Sequence, residues 1–174
     1  MNPESVNLRQ TQPIQSNHIE NLKIISVNKI IFLSIISLGL YPIWWMFKAW
    51  RFFLIKDNLN IMPAARAIFS ILFLYSLFNH IKKYAKEQGY PNDFSSGWMY
   101  LGYLITSLLV RLPDPYWLIS LCSIIFLIPA FKALNYAQKQ LNTTIEQEKF
   151  NTPQIILIII GSIMWLLIFI SFFI

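Results

Sequence analysis

The stretch IILIIIGSIMWLLIFISFFI, residues 155–174, contains no charged side chain. As an α-helix its twenty residues would rise about 30 Å, the thickness of a bilayer's hydrocarbon core. A helix packed into a water-soluble core needs an apolar stripe, not an apolar circumference. This stretch therefore reads as a helix immersed in lipid.

The whole chain has 174 residues, of which 56% are hydrophobic and 13% charged, well below the quarter that is usual for soluble domains. The apolar residues gather into runs. Segments 30–47, 63–80, 95–110, 116–131 and 154–174 are predicted to span, with RLPDP (111–115) as a tight connection between the third and fourth. Pro63 fits a helix start, where its missing N–H costs little. The fold class expected is an all-α membrane protein, a polytopic helical bundle of about five transmembrane helices, or four if 98–110 is too short to cross. Residues 1–22, rich in Asn, Gln and Ser, are expected to form a disordered polar tail, and 23–174 the helical transmembrane domain.

Lysine and arginine beside membrane segments stay on the cytoplasmic side. With five spans and a cytoplasmic N-terminus, the inner side holds Arg9, Lys23, Lys29, Lys82, Lys83, Lys86, Lys132, Lys139 and Lys149; the outer side holds Lys48, Arg51, Lys56, Arg66 and Arg111. Nine against five favours this orientation. The alternative is a re-entrant first segment, bent at Gly39 and Pro42, which returns Lys48, Arg51 and Lys56 to the inside. No secretory signal is expected, because the first apolar run follows a long polar tail. Cys122 lies in an apolar run and is expected to be buried and inert. NTT at 142–144 fits a glycosylation acceptor by letters alone.

GLYPIWWMFKAWRFF (39–53) places seven aromatics and two cations in fifteen positions. Two cations at mid-depth would cost several kcal/mol, about 2.5–3.5 each on insertion scales, so the span is expected to end near Phe47. Trp44, Trp45 and Trp50 are then interface aromatics, and Lys48, Arg51 and Arg66 are candidate contacts for a lipid headgroup or another anion. A faint echo, FKAWRFFLIKDNLN against FKALNYAQKQLN (131–142), suggests the internal repetition seen in transporter folds.

SLGLYPIWWMFKAW resembles the signature of a group of bacterial integral-membrane proteins of unknown function, a G-(I/L)-Y-x-(I/L)-Y-W-x-(Y/F)-K-x-W pattern closing the first hydrophobic segment. IMPAARAIFSILFLYSLF (61–78) is similar to the segment that follows in that group, with Ala64 and Ala65 in place of Phe-Trp. GSIMWLL (161–167) resembles the glycine and tryptophan of its last span. The resemblance implies a multi-pass protein of a bacterial inner membrane and carries no activity with it.

The apolar runs hold no Asp, Glu or His, His80 standing at the end of the second, so acid–base chemistry within the membrane has no carriers, and no enzyme activity and no cofactor or metal site is expected. His80 reads as a solvated interfacial residue, and His18 falls in the tail. The net charge of +6 sits at span ends, which favours anionic lipid over nucleic acid as the partner. Two function classes follow. One is a non-catalytic membrane component for assembly, sensing or the envelope, acting through lipid and through a second copy or a partner membrane protein, with Gly102, Ser120 and Gly161 allowing close helix contact. The other is an oligomeric small channel, pore or transporter with Arg66 and Arg111 on its path and Pro42 and Pro129 in its spans.

Overall fold

The structure, a computed structural model, describes residues 24–141 and 149–173. The polar tail at 1–22, Arg9, His18 and Lys23, and the 142–144 acceptor lie outside the described residues.

The first apolar run does not form one helix. Helix α1 (Val27–Ile36) lasts ten residues, about 15 Å. It ends where Leu38 (φ 51°) and Gly39 (φ 87°) both turn left-handed. The N–H of Gly39 donates to the Ser34 carbonyl at 2.8 Å and that of Leu38 to Ile35 at 3.1 Å, the paired closing bonds of a Schellman motif. Helix α2 (Leu40–Lys56) follows at once. Its Tyr41 N–H donates to Ser37 Oγ at 2.9 Å, and Pro42 sits in the first turn, where no intrahelical donor is needed.

The second run is also divided. Pro63 opens the short helix α3 (Pro63–Ile68), Phe69 interrupts it with ψ 41°, and α4 (Ser70–Glu87) resumes. Gly89 (φ 78°) closes α4 with a second Schellman pair, Tyr90 N–H to Ala85 at 2.9 Å and Gly89 N–H to Lys86 at 3.0 Å. Helix α5 (Ser96–Leu108) runs into a 3-10 turn (Leu109–Arg111). After the RLPDP connection, whose Asp114–Pro115 bond is cis, a 3-10 segment (Tyr116–Ser123) leads directly into α6 (Ile124–Lys139). Helix α7 (Thr152–Phe173) is the last. Asn151 N–H donates to Gln154 Oε1 at 2.9 Å, half of a capping box.

Side-chain contacts fix the directions. Trp50 lies 5.5 Å from His80, Phe52 5.3 Å from Tyr84, and Lys56 Nζ 4.5 Å from the Tyr84 ring, so α2 and α4 run parallel. Tyr90 stacks on Tyr136 at 5.2 Å and Asn135 donates to the Ile25 carbonyl at 2.8 Å, so α6 ends, and α1 begins, at that same end. Thus α1 leaves a lysine-rich end and α2 returns to it; α3 leaves and α4 returns. Helix α5 runs the other way along α4, with Tyr100 Oη donating to the Ile71 carbonyl at 2.7 Å. Arg111 and Asp114 are therefore carried to the far end. The core between these helices is aromatic: Trp50, Phe52, Phe53, Phe78 and Phe131 are each buried to within 1% of full enclosure.

Among the described residues the chain is all-helical, and two helices, Tyr116–Lys139 and Thr152–Ser171, are long and apolar enough to cross a membrane. Five spans, or four, are not reached by that measure, because 30–47 breaks at Leu38–Gly39 and 63–80 breaks at Phe69. Nor does a helix end near Phe47: α2 carries Lys48 and Arg51 in its interior. Cys122 is exposed, not buried. The 3-10 segment repeats every three residues, and Tyr116, Ile119 and Cys122 share its outer edge.

Candidate functional site

At the lysine-rich end, α2 and α4 open a cavity of about 390 Å³ lined by Phe53, Lys56, Asp57, Asn79, His80, Lys83, Tyr84 and Glu87. Parallel packing of the two helix ends builds it. Lys56 Nζ lies 2.8 Å from Asp57 Oδ1 and over the Tyr84 ring, so one cation is held by a carboxylate and a π face together. His80 is half-buried between the rings of Trp50 and Phe53, 5.5 and 5.7 Å away. Its Nδ1 lies 2.8 Å from the Ser76 carbonyl. A carbonyl only accepts, so Nδ1 carries the proton, and in the neutral ring Nε2 is left as an acceptor. His80 is therefore not the solvated residue expected, because the face of α4 that carries Leu77, Phe78, Ile81 and Tyr84 is the buried one. With both charge signs, an amide and aromatic walls, the cavity suits a small zwitterionic or anionic group better than an apolar one.

The adjoining loop is pinned to α4. Lys82 Nζ reaches Asp93 Oδ1 and the Phe94 carbonyl, each at 2.9 Å, and Lys86 lies 3.7 Å from Asp93 Oδ2. Phe94 N–H also donates to Asp93 Oδ1 at 2.9 Å. The Lys82 hydrogen bond foremost, helped by the Phe94 amide and the two lysine charges, holds the Asp93 carboxyl below its ordinary range.

The residues singled out in the sequence are scattered around this site. Arg66 stacks on Trp50 and Phe73, its Cζ 4.5 and 5.2 Å from their rings. Lys48 Nζ instead lies 6.0 Å from the ring of Trp44. Lys48 and Trp50 are two residues apart, roughly 160° around the helix, so Lys48 and Arg66 flank opposite sides of α2 and do not join Arg51 in one three-cation pocket. Arg51 is exposed between them. Trp44 is 40% exposed, but Trp45 (6%) and Trp50 (1%) belong to the core and not to an interface belt. Trp45 packs on Phe131 at 5.6 Å, having turned about 100° from Trp44. Arg111, at the far end, shares no element with Arg66.

Two glycines expected to meet partner helices are used within the chain. A Cβ on Gly102 would strike the Phe126 ring, and one on Gly161 the Ile36 carbonyl oxygen. Asn79, Lys83 and Glu87 were missed in the sequence because nothing in α4 alone marks them; only their spacing of four, which puts them on one helical face, hinted at a shared role.

No family model, curated protein or solved structure matches the chain. Among the described residues no cluster of three or more His, Cys, Asp or Glu side chains is placed to hold a metal ion.

Proposed function

We propose that the chain is a non-catalytic multi-pass membrane protein, of the bacterial inner-membrane kind that its motifs resemble, acting through lipid and helix contacts as an assembly, sensing or envelope component. Three elements cross: α5 with its 3-10 turn, Tyr116–Lys139, and α7. The pairs α1/α2 and α3/α4 enter and return to the cytoplasmic face. The observation that carries this reading is the one-sided placement of charge. Lys56, Lys82, Lys83 and Lys86 gather at one end, and Arg111 stands at the other, as retention of cations on the inner side requires. Apolar exposure along the outer face of α7, including Ile155, Ile159, Ile163 and Leu166, each near 50% accessible or above, supports it: such a surface is stable against lipid and not against water. The cavity at the lysine-rich end then lies at headgroup depth, where zwitterionic and anionic groups are concentrated.

The reading is tested by replacing Cys122 with serine and introducing Lys56→Cys, Lys83→Cys or Arg111→Cys singly. A membrane-impermeant maleimide should label Lys56→Cys and Lys83→Cys from the same face of sealed vesicles and Arg111→Cys from the other. Labelling of Lys56→Cys and Lys83→Cys from opposite faces would restore five spans and remove both re-entrant pairs.

A further inference from the structure

We infer that a groove between α2, α3 and α7 holds an acyl chain of an acidic membrane lipid whose headgroup is met by Arg51 and Lys48. The inference rests on the membrane reading above and adds a ligand site to it. The groove encloses about 480 Å³, within the range of about 300–1,000 Å³ typical of ligand sites. Leu40, Trp44 and Phe47 form its floor, Ala64 and Ile68 one wall and Leu157 the other. The polar groups at its edge are already engaged with each other, Gln154 Nε2 donating to Tyr41 Oη at 3.1 Å. Both residues are buried and the rest of the lining is apolar, so the occupant is a hydrocarbon.

Charge at one mouth selects among hydrocarbon-bearing molecules. Leu40, Trp44, Phe47 and Arg51 are spaced four, three and four apart, which puts them on one line along α2 and sets Arg51 one turn beyond the apolar floor, toward the lysine-rich end. Lys48 stands on the neighbouring flank of α2, toward α6, with its Nζ 6.0 Å from the Trp44 ring. Between residues 27 and 56 there is no Asp or Glu. Among the described residues neither Lys48 nor Arg51 has a carboxylate partner, whereas Lys56, Lys82 and Lys86 do. Arg51 at the end of an apolar groove, with Lys48 within reach on the next flank of α2, complements a phosphate-bearing headgroup on an acyl chain.

The test uses the full chain in vesicles containing either a phosphatidylglycerol or a phosphatidylcholine brominated on its acyl chains, mixed into unlabelled lipid. The quenching that belongs to Trp44 is the part lost in Trp44→Phe. We expect that part to report roughly tenfold tighter association of the acidic lipid, and Arg51→Gln to reduce the preference by about fivefold, the effect of one cation at an anionic surface. Arg51→Lys should retain the preference, which separates charge from folding. Ala64→Phe, which fills the groove, should remove Trp44 quenching by both lipids. Equal quenching by the two lipids, unchanged in Arg51→Gln, would overturn the site while leaving the membrane reading intact. No quenching, together with a dimer by native mass spectrometry that Ala64→Phe dissociates, would show a second copy in the groove and overturn it too. Failure of the protein to float with vesicles after an alkaline wash would overturn the membrane reading itself.

Discussion

Neighbouring residues in one aromatic stretch have separate duties here. Trp44 faces outward beside Lys48, while Trp45, one position on, is core. Arg66 is the cation that the packing uses: its guanidinium lies over Trp50, a buried ring. Arg66→Gln should cost about 1 kcal/mol of stability in detergent, as a partly desolvated cation–π contact does. Arg51→Gln, on an exposed position, should change it by less than about 0.5 kcal/mol. Thermal unfolding followed by tryptophan emission distinguishes the two, and equal effects would mean that the stacking contributes nothing. Asp93 makes a prediction of a different kind. Its carboxyl is held low in the folded protein, so the ionised form contributes stability that is complete above the ordinary aspartate value of about 4 and disappears as pH falls through the lowered folded value. The gap in melting temperature between the native chain and Asp93→Asn should therefore stay constant at neutral pH and close in acid. A gap that widened in acid would contradict the assignment of the Lys82 contact.

At the scale of elements, the apolar runs were readable because lipid imposes composition over whole segments, and each of the five predicted segments is helical in its own way. Their interruptions were not. Leu38 takes a left-handed conformation that no leucine announces, and Phe69 breaks α3 from α4 without a proline or glycine at the break. Gly39 and Pro42 did mark the first bend, since the bend places Gly39 at φ 87°. Nothing crowds a Cβ there, so Gly39→Ala should cost only the left-handed strain, about 1 kcal/mol. Gly161 presents the opposite case. Its backbone torsion is ordinary, but a Cβ would meet the Ile36 carbonyl, and backbone cannot step aside. Trp165 Nε1 donates to the adjacent Ile35 carbonyl at 3.1 Å, so α7 serves the open C-terminal end of α1 with both a close approach and a hydrogen bond. Gly161→Ala should therefore cost about 1–3 kcal/mol, more than Gly39→Ala, by forcing the two helices apart. Melting temperatures of the two variants in one detergent decide the order.

At the scale of the molecule, the helices divide into a packed body and an outlying α7. The buried rings of Trp50, Phe53, Phe78 and Phe131 share one core and come from α2, α4 and α6, whereas α7 lies chiefly against α1 and reaches Tyr41 at the start of α2 through Gln154. The sequence ranked these parts the other way, since 155–174 is its most apolar stretch and the body is interrupted by charge. Hydropathy measures the medium around a segment, however, and a helix facing lipid on nearly all sides is apolar for a reason unrelated to how many protein contacts it makes. A chain ending at Asn151 should thus keep the near-ultraviolet circular dichroism of its aromatic body in detergent. What it should lose is the support of the first bend: with Ile35 and Ile36 no longer covered and Tyr41 without its amide partner, limited proteolysis should cut first near Leu38. Collapse of the aromatic signal on removal of α7 would instead mean that this helix closes the core, and the division into body and outlier would fall with it.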